Sequence, residues 1–181
     1  MHNALLIHKE LLEKWRKAMD LVGPGPIEHH FEDAKQAVDH LQATGNWIDL
    51  GSGAGFPGFA LAAYHPHAHV ILVESRQKRA QFLKRVISQS GLNNIELYHG
   101  RSEDIKTTFD GVISRAYKQP LAYLKDAKRL SAPNARTVLL LGGHNHFVPP
   151  LSWRLLEDWQ YSISTGLRRR LVLCESMESD K

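Results

Sequence analysis

Residues 47–58 read Trp-Ile-Asp-Leu-Gly-Ser-Gly-Ala-Gly-Phe-Pro-Gly, and this stretch decides the fold. Trp47–Leu50 is a short apolar segment that predicts a buried strand, and the small apolar residues of Phe59–Tyr64 predict a helix. Glycines suit a loop in which the backbone turns tightly and approaches a ligand without an intervening Cβ. The start of the following helix offers free N–H groups to a negatively charged group. The stretch therefore predicts a ligand-binding loop between a strand and a helix.

The rest of the chain alternates between the same two kinds of segment. Strands are predicted over residues 47–50, 69–74, 94–98, 111–114, 137–141 and 167–174, and helices over 4–19, 27–41, 59–64, 76–90, 121–130 and 151–158. This alternation is typical of an α/β fold with right-handed crossovers, a mostly parallel twisted sheet and helices on both faces. A length of 181 residues suits one domain. We expect residues 1–44 to form an N-terminal helical appendage of a Rossmann-like core over residues 45–176.

The charge of the chain is unevenly distributed. The formal net charge is +4, from 23 Lys and Arg against 19 Asp and Glu. Residues 76–136 carry 13 basic and 5 acidic residues, a local charge of +8, and the remaining residues sum to −4. Arg76, Lys78 and Arg79 begin this basic segment. Such asymmetry indicates either a surface for polyanions such as nucleic acid or a solvated helix face.

Composition argues against several other classes of protein. No apolar run approaches the roughly 18 residues of a transmembrane helix, and the first residues lack the pattern of a secretory signal. The single cysteine, Cys174, fits a reducing compartment, so we expect a cytoplasmic protein that binds no membrane. The histidine-rich stretches 65–69 and 144–146 have no Cys or acidic residue at ligand spacing, so no metal site is predicted.

Three interpretations of the glycine loop compete. Gly53-x-Gly55-x-x-Gly58 matches the dinucleotide fingerprint, with Glu74 at the end of the second predicted strand as the ribose-binding acid. An S-adenosylmethionine loop of the form Asp-x-Gly-x-Gly-x-Gly uses the same acid. The glycines can also serve only to pack the helix on the strand. Asp49 favours S-adenosylmethionine, because its carboxylate would be repelled by a pyrophosphate and attracted by the methionine ammonium group.

Four motifs in order resemble those of one known family. They are the stretch 47–58, VESRQKRAQFL at 73–83, GRSED at 100–104 and DGVISRA at 110–116. The sequence is similar, over about residues 11–174, to the RsmG family, also called glucose-inhibited division protein B, of bacterial 16S rRNA (guanine-N7) methyltransferases. The resemblance implies a class I methyltransferase fold and S-adenosylmethionine as cofactor. It also implies ribosomal RNA or the small ribosomal subunit as partner, and we expect a monomer.

The resemblance, the loop and the basic segment together give a set of expected site residues. The expected cofactor-binding residues are Asp49, Gly51, Gly53, Gly55, Phe56, Glu74, Ser102, Glu103 and Arg115. The expected RNA-binding residues are Arg76, Lys78, Arg79, Arg101 and Arg169, with Arg168 and Arg170 beside the last. Where the family has Lys-Gly after the fifth strand, this chain has Gly142-Gly143 and so lacks a lysine that the resemblance implies as a candidate contact with RNA phosphate.

Methylation of guanine N7 places few chemical demands on the protein. The N7 lone pair attacks without losing a proton, so no general base is needed and no catalytic residue is assigned; positioning supplies the catalysis. A carbon-5 methyltransferase would need a nucleophilic cysteine, but Cys174 lies in an apolar segment that predicts an inert, buried thiol. The rival hypotheses are a methyltransferase for a small molecule or protein, and a cofactor-binding RNA module without turnover.

Overall fold

A computed structural model describes residues 2–23 and 25–177, and seven strands occur in these residues. The strands are β1 Gly45–Leu50, β2 Ala68–Glu74, β3 Ile95–His99, β4 Phe109–Arg115, β5 Ser131–Gly142, β6 Trp153–Ser162 and β7 Arg168–Ser176. The helices are α1 Asn3–Met19, α2 Glu28–Asp39, α3 Gly58–Tyr64, α4 Gln77–Ser90 and α5 Pro120–Leu130, and a short 3-10 turn spans Ser102–Asp104. No helix in this part of the chain is long and apolar enough to cross a membrane.

The strands form one sheet in the order β3-β2-β1-β4-β5-β7-β6. The first five strands of this order pair in parallel, whereas β7 pairs antiparallel with both β5 and β6. From β1 the chain proceeds outward to β2 and β3, and then crosses to β4 on the other side of β1. The strand order therefore reverses between β1 and β4, and a crevice opens at their carboxyl ends, where ligands bind in open α/β sheets.

Helices cover both faces of the sheet, as the sequence predicts. Residues of α1, α2, α3 and α4 form one apolar cluster with alternate strand residues such as Trp47, Leu72 and Ile113. Residues of α5 form a second cluster with the strand residues that point the other way, including Ile48 and Val112. Burial on both faces explains why the central strands are almost wholly apolar. The predicted Rossmann-like α/β fold is confirmed.

The prediction of a helix over residues 151–158 is wrong. This segment enters β6, which pairs with β7 from Trp153 opposite Ser176 to Ser162 opposite Arg168. Trp153 and Tyr161 are buried while most residues between them are exposed or half-buried, the pattern of a strand with one covered face. Residues 153–162 form a strand because they pair with the free edge of β7, which lies elsewhere in the sequence. Pairing of this kind overrides the local preference for a helix, so a short stretch of sequence cannot predict it.

Candidate active site

The glycine loop after β1 requires glycine for its backbone conformation. Gly51, Gly53 and Gly55 have φ values of +69°, +57° and +100°, in the region that side chains disfavour. Gly58 is needed for a different reason, because a Cβ there would lie 2.6 Å from Asp49 Oδ2. The loop thus turns directly from β1 into α3, and within it only Gly51 and Gly53 are half-buried rather than buried.

Asp49 lies beneath this loop and is fully buried. Its Oδ2 accepts a hydrogen bond from the Gly58 N–H at 3.0 Å, which ties the end of β1 to the start of α3. Its Oδ1 has no hydrogen-bond partner in the described part of the chain. Burial raises the pKa of Asp49 to about 7. An unpartnered carboxylate oxygen suits a cationic group, but Asp49 lines neither of the two cavities described below, so its contact with a cofactor stays a prediction.

Glu74 joins the end of β2 to the same loop. Its Oε2 accepts the Gly53 N–H at 3.0 Å, and its Oε1 accepts the Arg76 N–H at 2.7 Å. The side chain is nearly buried and lines a cavity at the carboxyl end of the sheet. Hydroxyl donors of a ribose would meet the same two oxygens, so the geometry suits the predicted role of Glu74.

Two adjoining cavities open at this end of the sheet. The larger has a volume of about 710 Å³ and lies between the glycine loop, α2 and the ends of β4, β5 and β7. The smaller, of about 380 Å³, lies between the ends of β2 and β3 and the turn after β4. Both are lined by Gly51, Arg79, Ala116, Tyr117 and Lys118. The Tyr117 ring lies so close to Gly51 that a Cβ there would be 2.6 Å from Tyr117 Cδ2.

The smaller cavity contains the predicted residues of the second and third strand ends. Ser102 is buried, and its hydroxyl forms a hydrogen bond of 2.7 Å with the Tyr117 hydroxyl. Glu103 is exposed and accepts a hydrogen bond from Lys118 Nζ at 3.0 Å, which lowers the pKa of Glu103. Glu74, Ser102 and Gly51, which come from three separate motifs, thus line one cavity, and their contact with a cofactor stays a prediction.

In the larger cavity the predicted residues Phe56 and Arg115 contact each other. The Arg115 guanidinium carbon lies 5.0 Å from the centre of the Phe56 ring, a cation–π contact. Arg115 Nη1 also donates a hydrogen bond to Asp33 Oδ2 at 2.9 Å. His30 also stacks on Phe56, with 5.7 Å between the ring centres. Burial together with the nearby Arg115 charge lowers the pKa of His30 to about 4. The imidazole of His30 is therefore neutral near pH 7.

Sequence reasoning missed Asp33, the buried partner of Arg115. Asp33 lies on α2 and is 2% exposed. Besides Arg115, its carboxylate contacts the Tyr161 hydroxyl at 2.7 Å and Arg169 Nε at 3.5 Å. The sequence did contain a signal for Asp33. It is an acidic residue one turn before Ala37, on the apolar side of a predicted amphipathic helix, where a charged side chain needs a partner.

Sequence reasoning also missed His8, which supports the loop from α1. His8 is fully buried, and burial lowers the pKa of its imidazole to about 4. The neutral ring donates its Nε2–H to the Ala54 carbonyl oxygen at 2.7 Å and stacks on Phe56 at 4.9 Å. No pattern in the sequence separates His8 from the other histidines of the chain.

The predicted RNA-binding residues divide into two groups. Arg76, Arg79 and Arg101 line the smaller cavity, and Arg79 and Arg169 line the larger one. Lys78 is exposed on the first turn of α4, outside both cavities.

Arg170, in contrast, is engaged within the protein. It is buried on β7 and donates two hydrogen bonds to Asp158, at 2.7 and 2.6 Å. Its neighbour Arg168 is exposed. The cluster Arg168–Arg170 is therefore not a continuous surface for RNA, because successive residues of a strand point to opposite faces and Arg170 is paired with Asp158.

Neither a nucleophilic thiol nor a metal site is found in the described part of the chain. Cys174 is fully buried on β7, and burial raises the pKa of its thiol to about 12, so it is inert as the sequence predicts. Among residues 2–23 and 25–177, no three His, Cys, Asp or Glu side chains are grouped as metal ligands.

Solved structures share this fold at low sequence identity. An Aquifex aeolicus protein titled a SAM dependent methyltransferase aligns with a TM-score of 0.62 and 15% identity, over 89% of this chain and 97% of that one. A mutant of MtNAS, solved in complex with S-adenosylmethionine, aligns with a TM-score of 0.69 and 14% identity, over 97% of this chain and 75% of that one. At such identities the likeness shows the fold alone.

Sequence comparison is more specific. The profile of a family described as rRNA small subunit methyltransferase G matches residues 1–147. A ribosomal RNA small subunit methyltransferase G of Yersinia enterocolitica is 40% identical over 145 residues, which are 76% of this chain and 70% of the relative. A protein of the same name from Vibrio cholerae is 36% identical over 161 residues, 86% of this chain and 75% of the relative. With its four motifs placed around one glycine loop, this chain belongs to the GidB family of rRNA small subunit methyltransferases.

Proposed function

We propose that this protein transfers a methyl group from S-adenosylmethionine to N7 of a guanine in 16S rRNA. The observation that carries the proposal is the pair of cavities that meet at Gly51. The smaller cavity offers carboxylate and hydroxyl groups at strand ends, and the larger cavity offers arginines beside an apolar surface. A nucleoside cofactor and an anionic polynucleotide need these two kinds of surface side by side.

The smaller cavity and the loop suit the cofactor. Glu74 presents two carboxylate oxygens as acceptors for ribose hydroxyls, and Ser102 lies beside it. Because Gly51 and Gly53 have no Cβ, the cofactor can lie directly on the loop backbone. When bound, S-adenosylmethionine supplies an activated methyl group on a sulfonium, so the protein itself needs no nucleophile.

The chain's own residues then have a positioning role. N7 of guanine carries its lone pair without deprotonation, and no group near the cavities needs to act as a general base. His30 lines the larger cavity, is neutral near pH 7 and therefore adds no positive charge there. Holding the base and the methyl group in line where the two cavities meet is worth several powers of ten in rate.

The arginines at the cavity rims suit an RNA substrate. Arg76 and Arg101 lie at the smaller cavity, Arg169 at the larger, and Arg79 at both. Guanidinium groups bind phosphate in a bidentate manner. The target base must leave its stack to reach the methyl group, and phosphate contacts on both sides would hold the strand in place. We propose ribosomal RNA or the small ribosomal subunit as the partner of a monomeric, cytoplasmic, single-domain enzyme.

A methyl-transfer assay tests this proposal. Small ribosomal subunits from a strain that lacks the host enzyme are incubated with the protein and methyl-labelled S-adenosylmethionine, and the labelled nucleotide is mapped. We expect label on N7 of one guanine in 16S rRNA. Label on ribosomal protein, or on no macromolecule at all, contradicts the proposal and supports a rival substrate or a binding module without turnover.

A binding measurement tests the cofactor separately. Titration calorimetry with S-adenosylhomocysteine and with NAD compares the two ligands that the glycine loop suggests. We expect binding of S-adenosylhomocysteine only. Binding of NAD alone would assign the loop to the dinucleotide class.

A further inference from the structure

We propose that Asp33 is a positioning residue, which sets the orientation of Arg115 and Arg169 in the larger cavity. The inference rests on the proposed function, since it names a residue that would control the substrate side of that site. It assigns to α2, expected only as part of an appendage, a direct part in building the site.

The contacts of Asp33 come from three strands. Its Oδ2 accepts the Nη1–H of Arg115, at the end of β4, at 2.9 Å, and lies 3.5 Å from Nε of Arg169, on β7. Its Oδ1 accepts the hydroxyl of Tyr161, on β6, at 2.7 Å. Asp33 is therefore the point at which α2 joins β4 to the antiparallel end of the sheet.

The partners are partly accessible although Asp33 is not. Asp33 has 2% of its side chain exposed, whereas Arg115 has 20% and Arg169 has 28%. Both arginines line the larger cavity. Asp33 lines the same cavity, so the nearly buried carboxylate and the two partly exposed guanidinium groups meet at its wall.

Electrostatics explains why an acid is required here. Two guanidinium groups that approach one oxygen repel each other, and in a partly buried site water screens this repulsion weakly. One carboxylate in contact with both offsets the repulsion and leaves the three side chains with a net charge of +1 at the cavity. That residual charge suits an anionic ligand such as RNA phosphate.

The aromatic neighbours make the orientation specific. Arg115 lies over Phe56 of the glycine loop, 5.0 Å from the ring centre, so a shift of Arg115 would also disturb the loop. Tyr161 stacks on Trp159 at 4.4 Å, and this fixes the hydroxyl that holds Asp33 Oδ1. Tyr161 thus holds Oδ1 of Asp33, and Oδ2 of Asp33 holds Arg115 and Arg169.

The main test compares Asp33→Asn with Asp39→Asn, the same substitution at an exposed position of the same helix. Among residues 2–23 and 25–177, Asp39 forms an ion pair with Lys35 at the surface and with no other side chain. Steady-state methyl transfer to small ribosomal subunits gives kcat and KM for each variant, and thermal unfolding reports folding. We expect Asp33→Asn to lower kcat/KM by about 100-fold, as for a misplaced positioning group. We expect Asp33→Glu, which keeps the charge, to recover part of the loss, and Asp39→Asn to match the wild type.

A spectroscopic readout does not depend on activity. In arginine-labelled protein, nuclear magnetic resonance detects the guanidinium groups of Arg115 and Arg169, assigned by single Arg→Lys variants. We expect Asp33→Asn to shift and broaden both sets of signals, and Tyr161→Phe, which keeps all three charges, to shift them less. If Asp33→Asn fails to fold, Tyr161→Phe tests the inference instead. A shift of the Arg115 and Arg169 signals together with a rise in KM then supports the positioning role of Asp33, and no change in either contradicts it.

The outcomes separate this inference from the proposed function. If the wild type methylates no RNA, the proposed function fails, and the arginine signals alone judge whether Asp33 orients its partners. If Asp33→Asn lowers the unfolding temperature but leaves kcat, KM and the arginine signals unchanged, Asp33 is merely structural and the inference is overturned. If Asp33→Glu shows no recovery, the charge is not the reason for the effect, and the electrostatic argument fails.

Discussion

The Nε2 atom of His8, on the first helix, lies 2.7 Å from the carbonyl oxygen of Ala54 in the glycine loop. The two residues are 46 positions apart in the sequence. The contact is buried, and His8 also stacks on Phe56, which follows Ala54 by two residues. The N-terminal helix therefore supports the loop that we assign to the cofactor, and its removal should affect binding as well as stability.

We expect His8→Phe to weaken both folding and cofactor binding. Phenylalanine fills a similar space but leaves the Ala54 carbonyl without a donor, which costs about 1–3 kcal/mol in a buried site. The measurements are urea unfolding and calorimetry with S-adenosylhomocysteine. His67→Ala, at an exposed histidine, is the control and should change neither quantity. Unchanged affinity in His8→Phe would limit the role of His8 to stability.

The same histidine should make stability depend on pH. Burial lowers the pKa of His8 from 6.5 to about 4, so between these values the unfolded chain binds a proton that the native protein excludes. Stability should therefore fall as the pH falls from 6.5 to about 4, by at most about 3 kcal/mol from this group. Unfolding free energies of the wild type and His8→Phe, measured across this range, should converge toward low pH. Parallel curves would contradict the assignment.

Asp49 should change the pH dependence of stability in the opposite direction to His8. Burial raises its pKa from 3.8 to about 7, so between these values the native protein holds a proton that the unfolded chain has lost. Its contribution to stability is complete below pH 3.8 and is lost as the pH rises through 7. Asp49→Asn removes this titration, and the variant should gain stability relative to the wild type as the pH rises from 4 to 7. A constant difference across that range would show that Asp49 titrates normally.

We expect Gly51→Ala to abolish binding of S-adenosylhomocysteine. The new Cβ would lie 2.6 Å from Tyr117 Cδ2, and φ at this position is +69°. Gly91→Ala is a matched control, because Gly91 has a φ of +71° but no atom of the described residues lies within 4 Å of the added Cβ. Both variants should lose about 1 kcal/mol of stability from the left-handed backbone. Calorimetry should detect no binding in Gly51→Ala and normal binding in Gly91→Ala, and equal binding in the two would contradict the placement of the cofactor on the loop.

Arg79 should contribute to RNA affinity through phosphate. Its side chain lines both cavities, and Nη2 donates to the Asp20 carbonyl oxygen at 3.0 Å. We expect Arg79→Gln to weaken RNA binding uniformly and to reduce the slope of log K against log salt by about one. Arg154→Gln, which removes a charge on β6 outside both cavities, is the control. An unchanged slope in Arg79→Gln would place the RNA elsewhere.

Much of the core fold was predictable because its signals are local. Residues 47–58 combine an apolar strand, a glycine loop and the start of a helix within one short segment. An apolar run predicts a buried strand, and glycines predict a tight turn of the backbone. The predicted strand ends near Glu74, Ser102 and Arg115 then follow, because parallel strands end at the same edge of a sheet. The segment 151–158 was not predictable in this way, since its conformation depends on a free edge supplied by β7.

The sequence alone determined the α/β class, the glycine loop, the acid at the end of β2, the inert thiol of Cys174 and membership of a methyltransferase family. These features depend on backbone conformation and apolar patterning, which short stretches of sequence express directly. Only the tertiary structure showed that His8 supports the loop and that Asp33 joins Arg115, Arg169 and Tyr161. It also showed that Arg170 is occupied by Asp158, so that it contributes no charge to a surface. Contacts between residues far apart in the chain arise from packing, and packing decides which charges are paired inside and which face the substrate.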